Sequence, residues 1–132
     1  MFCLKGVMSF DVGKKAVEMG ADAIMVSNHG GRQLDGCISP FEQLADIVDA
    51  VGDKIDVICD GGIRRGTHVL KALSVGAKAC SGGRWYLYAL AAGGQPGVEK
   101  AISNMKNEIE RDMKLMGITK LSQLSRKNIK FR

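Results

Sequence analysis

The sequence predicts an α/β protein built on one parallel sheet. Three observations carry that prediction. Short apolar runs alternate with helix-length amphipathic segments along the whole chain. A helix ending in Gly-Ala leads into such a run twice, at residues 14–21 followed by 23–27, and at 69–77 followed by 78–81. The runs are near-continuously apolar, as expected for strands covered on both faces.

The elements follow in order. Phe2-Cys3-Leu4 is the stump of a first strand. Ser9 is placed to cap a helix that enters at Val12, and Gly20 suits the end of that helix. Residues 23–27 form a second strand. Pro40 opens a helix whose apolar positions are Leu44, Ile47, Val48 and Val51. Gly52-Asp53 turns the chain into a third strand at 55–59. A third helix ends at Gly76 and leads into a fourth strand. The last helix carries Val98, Ile102, Met105, Ile109, Met113 and Met116 as one stripe, read as packing surface.

Four strand–helix units are half of what a closed (β/α)8 barrel needs, and such a barrel takes about 250 residues. The 132-residue chain therefore reads as a single domain, 1–132, forming the C-terminal half of a TIM barrel. A C-terminal helix and basic tail are expected from about residue 98.

Composition narrows the function classes. Hydrophobic residues make up 45% and charged residues 25%, which excludes a disordered chain. Aromatic residues reach only 5%, too few for a nucleic-acid stacking platform. The net charge of +5 comes from residues 100–132, with nine Lys/Arg against three Asp/Glu. This excess is read as a solvated helix face and tail, with contact to anionic lipid or another chain as the alternative. The four cysteines, Cys3, Cys37, Cys59 and Cys80, lack C-x-x-C or metal-ligand spacing. A reducing, cytoplasmic setting is expected, with no resident metal. The charge-free stretch 85–98 is too short and too broken by Gly and Pro to span a bilayer. A peripheral position on the inner face of a membrane is the remaining membrane option.

In parallel α/β folds functional groups gather at the C-terminal ends of the strands. Those positions hold Lys5-Gly6, then Ser27-Asn28-His29-Gly30-Gly31-Arg32-Gln33, then Asp60-Gly61-Gly62-Ile63-Arg64-Arg65-Gly66, then Gly82-Gly83-Arg84. Each glycine pair lets backbone N–H groups approach an anion, and Arg64 and Arg84 suit phosphate oxygens. His29, between a strand and two glycines, suits a general base. Arg32, three residues on, suits a carboxylate. Lys5 suits either a Schiff base or a fixed positive charge. His68 reads as an ordinary helix residue.

These motifs, in this order, resemble the FMN-dependent α-hydroxy-acid dehydrogenases, a group that includes L-lactate dehydrogenase, glycolate oxidase and flavocytochrome b2. Leu87-Tyr88-Ala89-Leu90-Ala91-Ala92-Gly93-Gly94 joins the resemblance, which covers essentially the whole chain. It implies FMN as cofactor and oxidation of a small L-2-hydroxy acid, L-lactate to pyruvate being the best match. It implies His29 as the base and Arg32 as the carboxylate ligand. Lys5, Ser27, Asp60, Gly61, Gly62, Ile63, Arg64, Gly83 and Arg84 are implied as the FMN contacts.

The His-Gly-Gly-Arg-Gln run argues against another FMN barrel, the isopentenyl diphosphate isomerases of the second type. Two departures stand out, Trp85 after Gly83-Arg84 and Gly82 where a large aliphatic side chain is usual. The family's other half supplies a Tyr and an Asp that find no counterpart in these residues. The chain is therefore expected to be incomplete alone, needing an N-terminal half or a second copy. A half-barrel remnant or assembly module without turnover is the competing reading.

Overall fold

The computed structural model describes residues 2–130. It contains four strands, β1 (Cys3–Val7), β2 (Ala23–Val26), β3 (Asp56–Asp60) and β4 (Ala79–Ser81). Helices α1 (Phe10–Glu18), α2 (Pro40–Val51), α3 (Gly66–Val75) and α4 (Gly83–Leu115) follow them in alternation. The strands form one sheet in the order β1-β2-β3-β4, and every pairing is parallel. This is the predicted half-barrel topology. The last charge of the predicted tail, Arg132, lies outside the described residues.

Local chemistry sets the helix starts. The Ser9 hydroxyl accepts from the Val12 N–H at 3.3 Å. Ser39 and Glu42 exchange bonds in a capping box, with Pro40 in the first turn of α2. The α1 and α3 ends use Gly20 (φ +77°) and Gly76 (φ +121°), backbone conformations that suit glycine.

The core lies between one face of the sheet and the helices. Leu4, Ile24, Val57 and Cys59 meet Ala16, Leu44, Ile47 and Ala72 there. The alternate positions Lys5, Met25, Ile58 and Ala79 stand in register across the other face, outside that cluster. The outer edges of β1 and β4 take no strand partner among the described residues.

Several sequence expectations are corrected. The first strand does not end at Lys5-Gly6 but runs to Val7. Gly6 (φ +92°) is an extra residue in the ladder, because Lys5 pairs with Met25 and Val7 with Val26. This bulge turns Val7 into the helix-side core, where it is fully buried, while Lys5 keeps to the other face. Gly82 is not a strand residue, since it caps α4. The apolar stripe of the last helix is shallower than its spacing suggests. Ile102 and Met116 are exposed, and only Met105 of the six joins the core. The helix also begins earlier, at Gly83, and breaks at Gly93-Gly94.

Two ion pairs dock the C-terminal third. Glu108 of α4 accepts from the Gly66 N–H at 2.7 Å and from Arg65 Nε at 2.8 Å. It thereby caps α3 from outside, and these bonds hold its carboxyl below the usual range. Arg126 is not the freely solvated tail charge expected, because it forks onto Asp49 of α2 at 2.6 and 3.0 Å.

At Gly66 α3 packs directly against the backbone of α4. A Cβ there would lie 2.7 Å from the Ile109 nitrogen and from the Glu108 Cβ. Gly66→Ala is therefore expected to push α4 off α3 and to lower stability by about 1–3 kcal/mol in urea denaturation.

Candidate functional site

The predicted site residues follow four adjacent parallel strands and share one rim. On the face away from the helices, a polar chain crosses from strand to strand. Lys5 Nζ donates to Ser27 Oγ at 3.1 Å and pairs with Asp60 Oδ2 at 3.2 Å. Ser27 Oγ donates to Asp60 Oδ2 at 2.6 Å. Ser81, in register with Asp60, bonds the same carboxylate. Each strand thus contributes one polar group. Burial raises the Asp60 pKa, but the bonds from Ser27, Ser81 and Lys5 and the Lys5 charge outweigh it and hold the carboxyl below its ordinary value.

Ser27 also organises the next turn. Its oxygen accepts from the His29 N–H at 3.2 Å, and the Asn28 side chain accepts from the Gly30 N–H at 3.1 Å. His29 itself sits at φ +57°, the one described non-glycine residue at positive φ. That conformation costs roughly 1 kcal/mol or more. Gly30 and Gly31 continue it at +71° and +74°. The result throws the imidazole back over the Gly6 bulge, where a Cβ would lie 2.8 Å from His29 Cε1. The imidazole is exposed and lies against Gly6.

Arg84 reaches across from α4 and donates to the Gly30 carbonyl at 2.8 Å. It closes one side of a cleft of about 410 Å³, lined also by Pro40, Phe41, Gly62 and His68. A Cβ at Gly62 or Gly83 would meet open space, so a ligand can come close to the backbone there. Diffuse positive charge, bare amides and a polar chain of hydroxyls fit a phosphate joined to a polyhydroxylated chain.

Not every expected residue converges. Arg32 is exposed, and its one side-chain hydrogen bond among the described residues is Nε to the His29 carbonyl at 3.4 Å. The Arg64 side chain is exposed and stays outside the cleft lining. Ile63 lines the cleft but belongs to the core cluster. The sequence reading missed Ser81, whose strand position opposite Asp60 was the available signal. It also misjudged His68, whose Nδ1 lies 3.0 Å from the Gly62 carbonyl and 3.2 Å from the Arg64 nitrogen. Cys59 and Cys80 are small apolar packers here, because burial pushes their thiols up to about 11 and about 12.

The depressed Asp60 pKa makes a pH prediction. A carboxyl whose folded value lies below its unfolded value adds stability above about pH 4, and that contribution is lost as pH falls through the folded value. Thermal melts across the acid range should show wild type losing stability more steeply than Asp60→Asn below about pH 4. Parallel profiles would show that the rim carboxylate is uncoupled from folding.

Comparison with known proteins fits this geometry. Residues 1–131 match the family model described as FMN-dependent dehydrogenase. The chain is 50% identical over 121 residues to an L-lactate oxidase of Nostoc sp., covering 92% of this chain and 33% of that protein. It is equally identical over 117 residues to a pre-mycofactocin synthase of Mycobacterium tuberculosis, covering 89% and 29%. A mandelate oxidase crystallised with benzoyl-formic acid superposes with a TM-score of 0.88 at 43% identity, covering 94% of this chain and 37% of that one. The chain spans about a third of the length of the curated relatives it matches, less than the half that four of eight strands suggest. With its motifs on one rim and its length matched almost end to end, the chain belongs to the FMN-dependent dehydrogenase family.

Proposed function

We propose that this chain forms the flavin-holding and proton-accepting rim of an FMN-dependent oxidoreductase that acts on a small L-2-hydroxy acid. The observation that carries this reading is the polar chain Lys5–Ser27–Asp60–Ser81 lying on the same rim as His29 and Arg84. FMN, when bound, supplies the two-electron acceptor. Arg84, with the amides of Gly61, Gly62 and Gly83, would hold its phosphate, and Arg64 would join them only by turning in from its exposed position. Ser27 and Asp60 meet its hydroxylated chain. Lys5 offers a fixed positive charge to the ring once it is reduced. His29 accepts the substrate proton at an imidazole nitrogen. Arg32, whose exposed guanidinium is hydrogen-bonded only through Nε among the described residues, receives the substrate carboxylate.

L-lactate is the substrate favoured here, on the strength of the lactate enzymes among the relatives. A second reading is a half-barrel that associates without turnover. It is favoured by the two open sheet edges and the uncovered sheet face. Pairing with a second copy or with the remaining strands of a barrel covers both. A cytoplasmic setting is part of the proposal, with the Lys- and Arg-rich C-terminal segment available to an anionic surface. No helix among the described residues is long and apolar enough to cross a membrane.

Titration of the purified chain with FMN, followed by flavin fluorescence, should show binding. Arg84→Met should weaken it by about tenfold or more, as expected for a lost charge-assisted contact. With L-lactate and a dye acceptor the chain alone should turn over poorly, and sedimentation should show dimers or larger species. A stable monomer with rapid L-lactate-dependent dye reduction would refute the half-barrel reading. In an assembly that restores turnover, Arg32→Met should raise KM for L-lactate about tenfold or more. An unchanged KM would remove Arg32 from substrate binding.

A further inference from the structure

We infer that His68 is the positioning residue of the Gly61–Arg64 turn, and that its protonation state selects which of two hydrogen bonds the turn makes. Ile63 anchors the turn in the core, but its backbone has few hydrogen bonds to fix its shape. Gly61 and Gly62 sit at φ +136° and +74°, so no side chain restrains them, and no backbone–backbone bond outside helices and strands closes the turn among the described residues. The N–H of Gly66, which opens α3, is already taken by Glu108. What remains is His68 Nδ1, 3.2 Å from the Arg64 nitrogen and 3.0 Å from the Gly62 oxygen.

A ring nitrogen carries either a lone pair or a proton in the ring plane. Neutral His68 with its proton on Nε2 accepts from the Arg64 N–H. Imidazolium His68 donates to the Gly62 carbonyl instead and must release the Arg64 N–H. Protonation therefore frees the Arg64 backbone N–H and adds a positive charge to the same cleft.

Lys71 of α3 and Arg84 of α4 line that cleft with His68, while α2 and its cap present only Ser39, Pro40 and Phe41. Arg65 is paired with Glu108. No carboxylate stands among the cleft residues, so the charged groups that line it are cationic and suit a phosphate. The consequence for phosphate rests on the proposed function, whereas the contact between His68 and the turn does not.

The test uses the full 15N-labelled chain without ligand. Ring 15N shifts of His68 should report the Nε2–H tautomer at high pH, and the Arg64 amide should titrate with the same midpoint as the ring. In His68→Asn the amide oxygen still accepts from Arg64, so that amide should stay hydrogen-bonded and lose its pH dependence. An Arg64 amide indifferent to pH in wild type, or an Nδ1–H ring throughout, would overturn the inference. FMN titrations of the same proteins then read the consequence. His68→Leu should weaken FMN about tenfold, as for a lost positioning bond, with His68→Asn close to wild type at high pH. Equal affinity in wild type and His68→Leu would remove His68 from phosphate binding. Absence of FMN binding in wild type would overturn the proposed function, and the Arg64 amide would still decide the role of His68.

Discussion

The site depends on one carboxylate. Asp60 lies at the end of β3, one strand in from the sheet edge, and collects bonds from Lys5, Ser27 and Ser81. Each donor belongs to a different strand or strand end, so the carboxylate fixes the relative heights of all four at the rim. A partly buried charge is tolerated there because its partners satisfy it. Ser27 then passes the constraint on, since the oxygen that donates to Asp60 also receives the His29 N–H. The position of His29 is thus set by a charge on the neighbouring strand.

Glycine is the second constraint, and it acts at one place above others. Gly6 adds a residue to β1, sends Val7 into the core, and leaves room beneath the His29 ring. Any side chain at Gly6 would strain the bulge and strike the imidazole together. The left-handed backbone of His29 is tolerated because the Asn28 and Ser27 oxygens bind the flanking N–H groups. Fold and site are coupled here through backbone geometry more than through side-chain packing.

Much of this was legible in the sequence. Strand–helix alternation, the caps at Ser9 and Gly20, and the strand-end motifs rest on local chemistry, which a sequence displays directly. The part that was not legible depends on register. Ser81 joins Asp60 only because β4 pairs with β3 at that height. The bulge at Gly6 appears only when β1 is laid against β2. His68 looks like any residue of a helix first turn until the preceding glycine turn folds back over it. The stripe on α4 was misread for another reason. Its apolar spacing is real, but the helix is held by Glu108 and Met105 at a few points, so most of the stripe stays in contact with solvent.

The open face and edges give this rim an unusual physical setting. Lys5, Met25 and Ile58 stand where the far strands of a barrel pack, and the chain spans about a third of its relatives' length. The rim is nonetheless pre-organised by bonds internal to the chain. The proposed function requires that these four strand ends alone build a phosphate and flavin cradle. The most direct measurement is a crystal structure of the chain grown with FMN. The account predicts phosphate density within hydrogen-bond reach of the Arg84 guanidinium and the Gly62 amide, with Lys5 and Asp60 still paired. FMN bound away from this rim, or a rim rearranged so that Ser27 leaves Asp60, would contradict it.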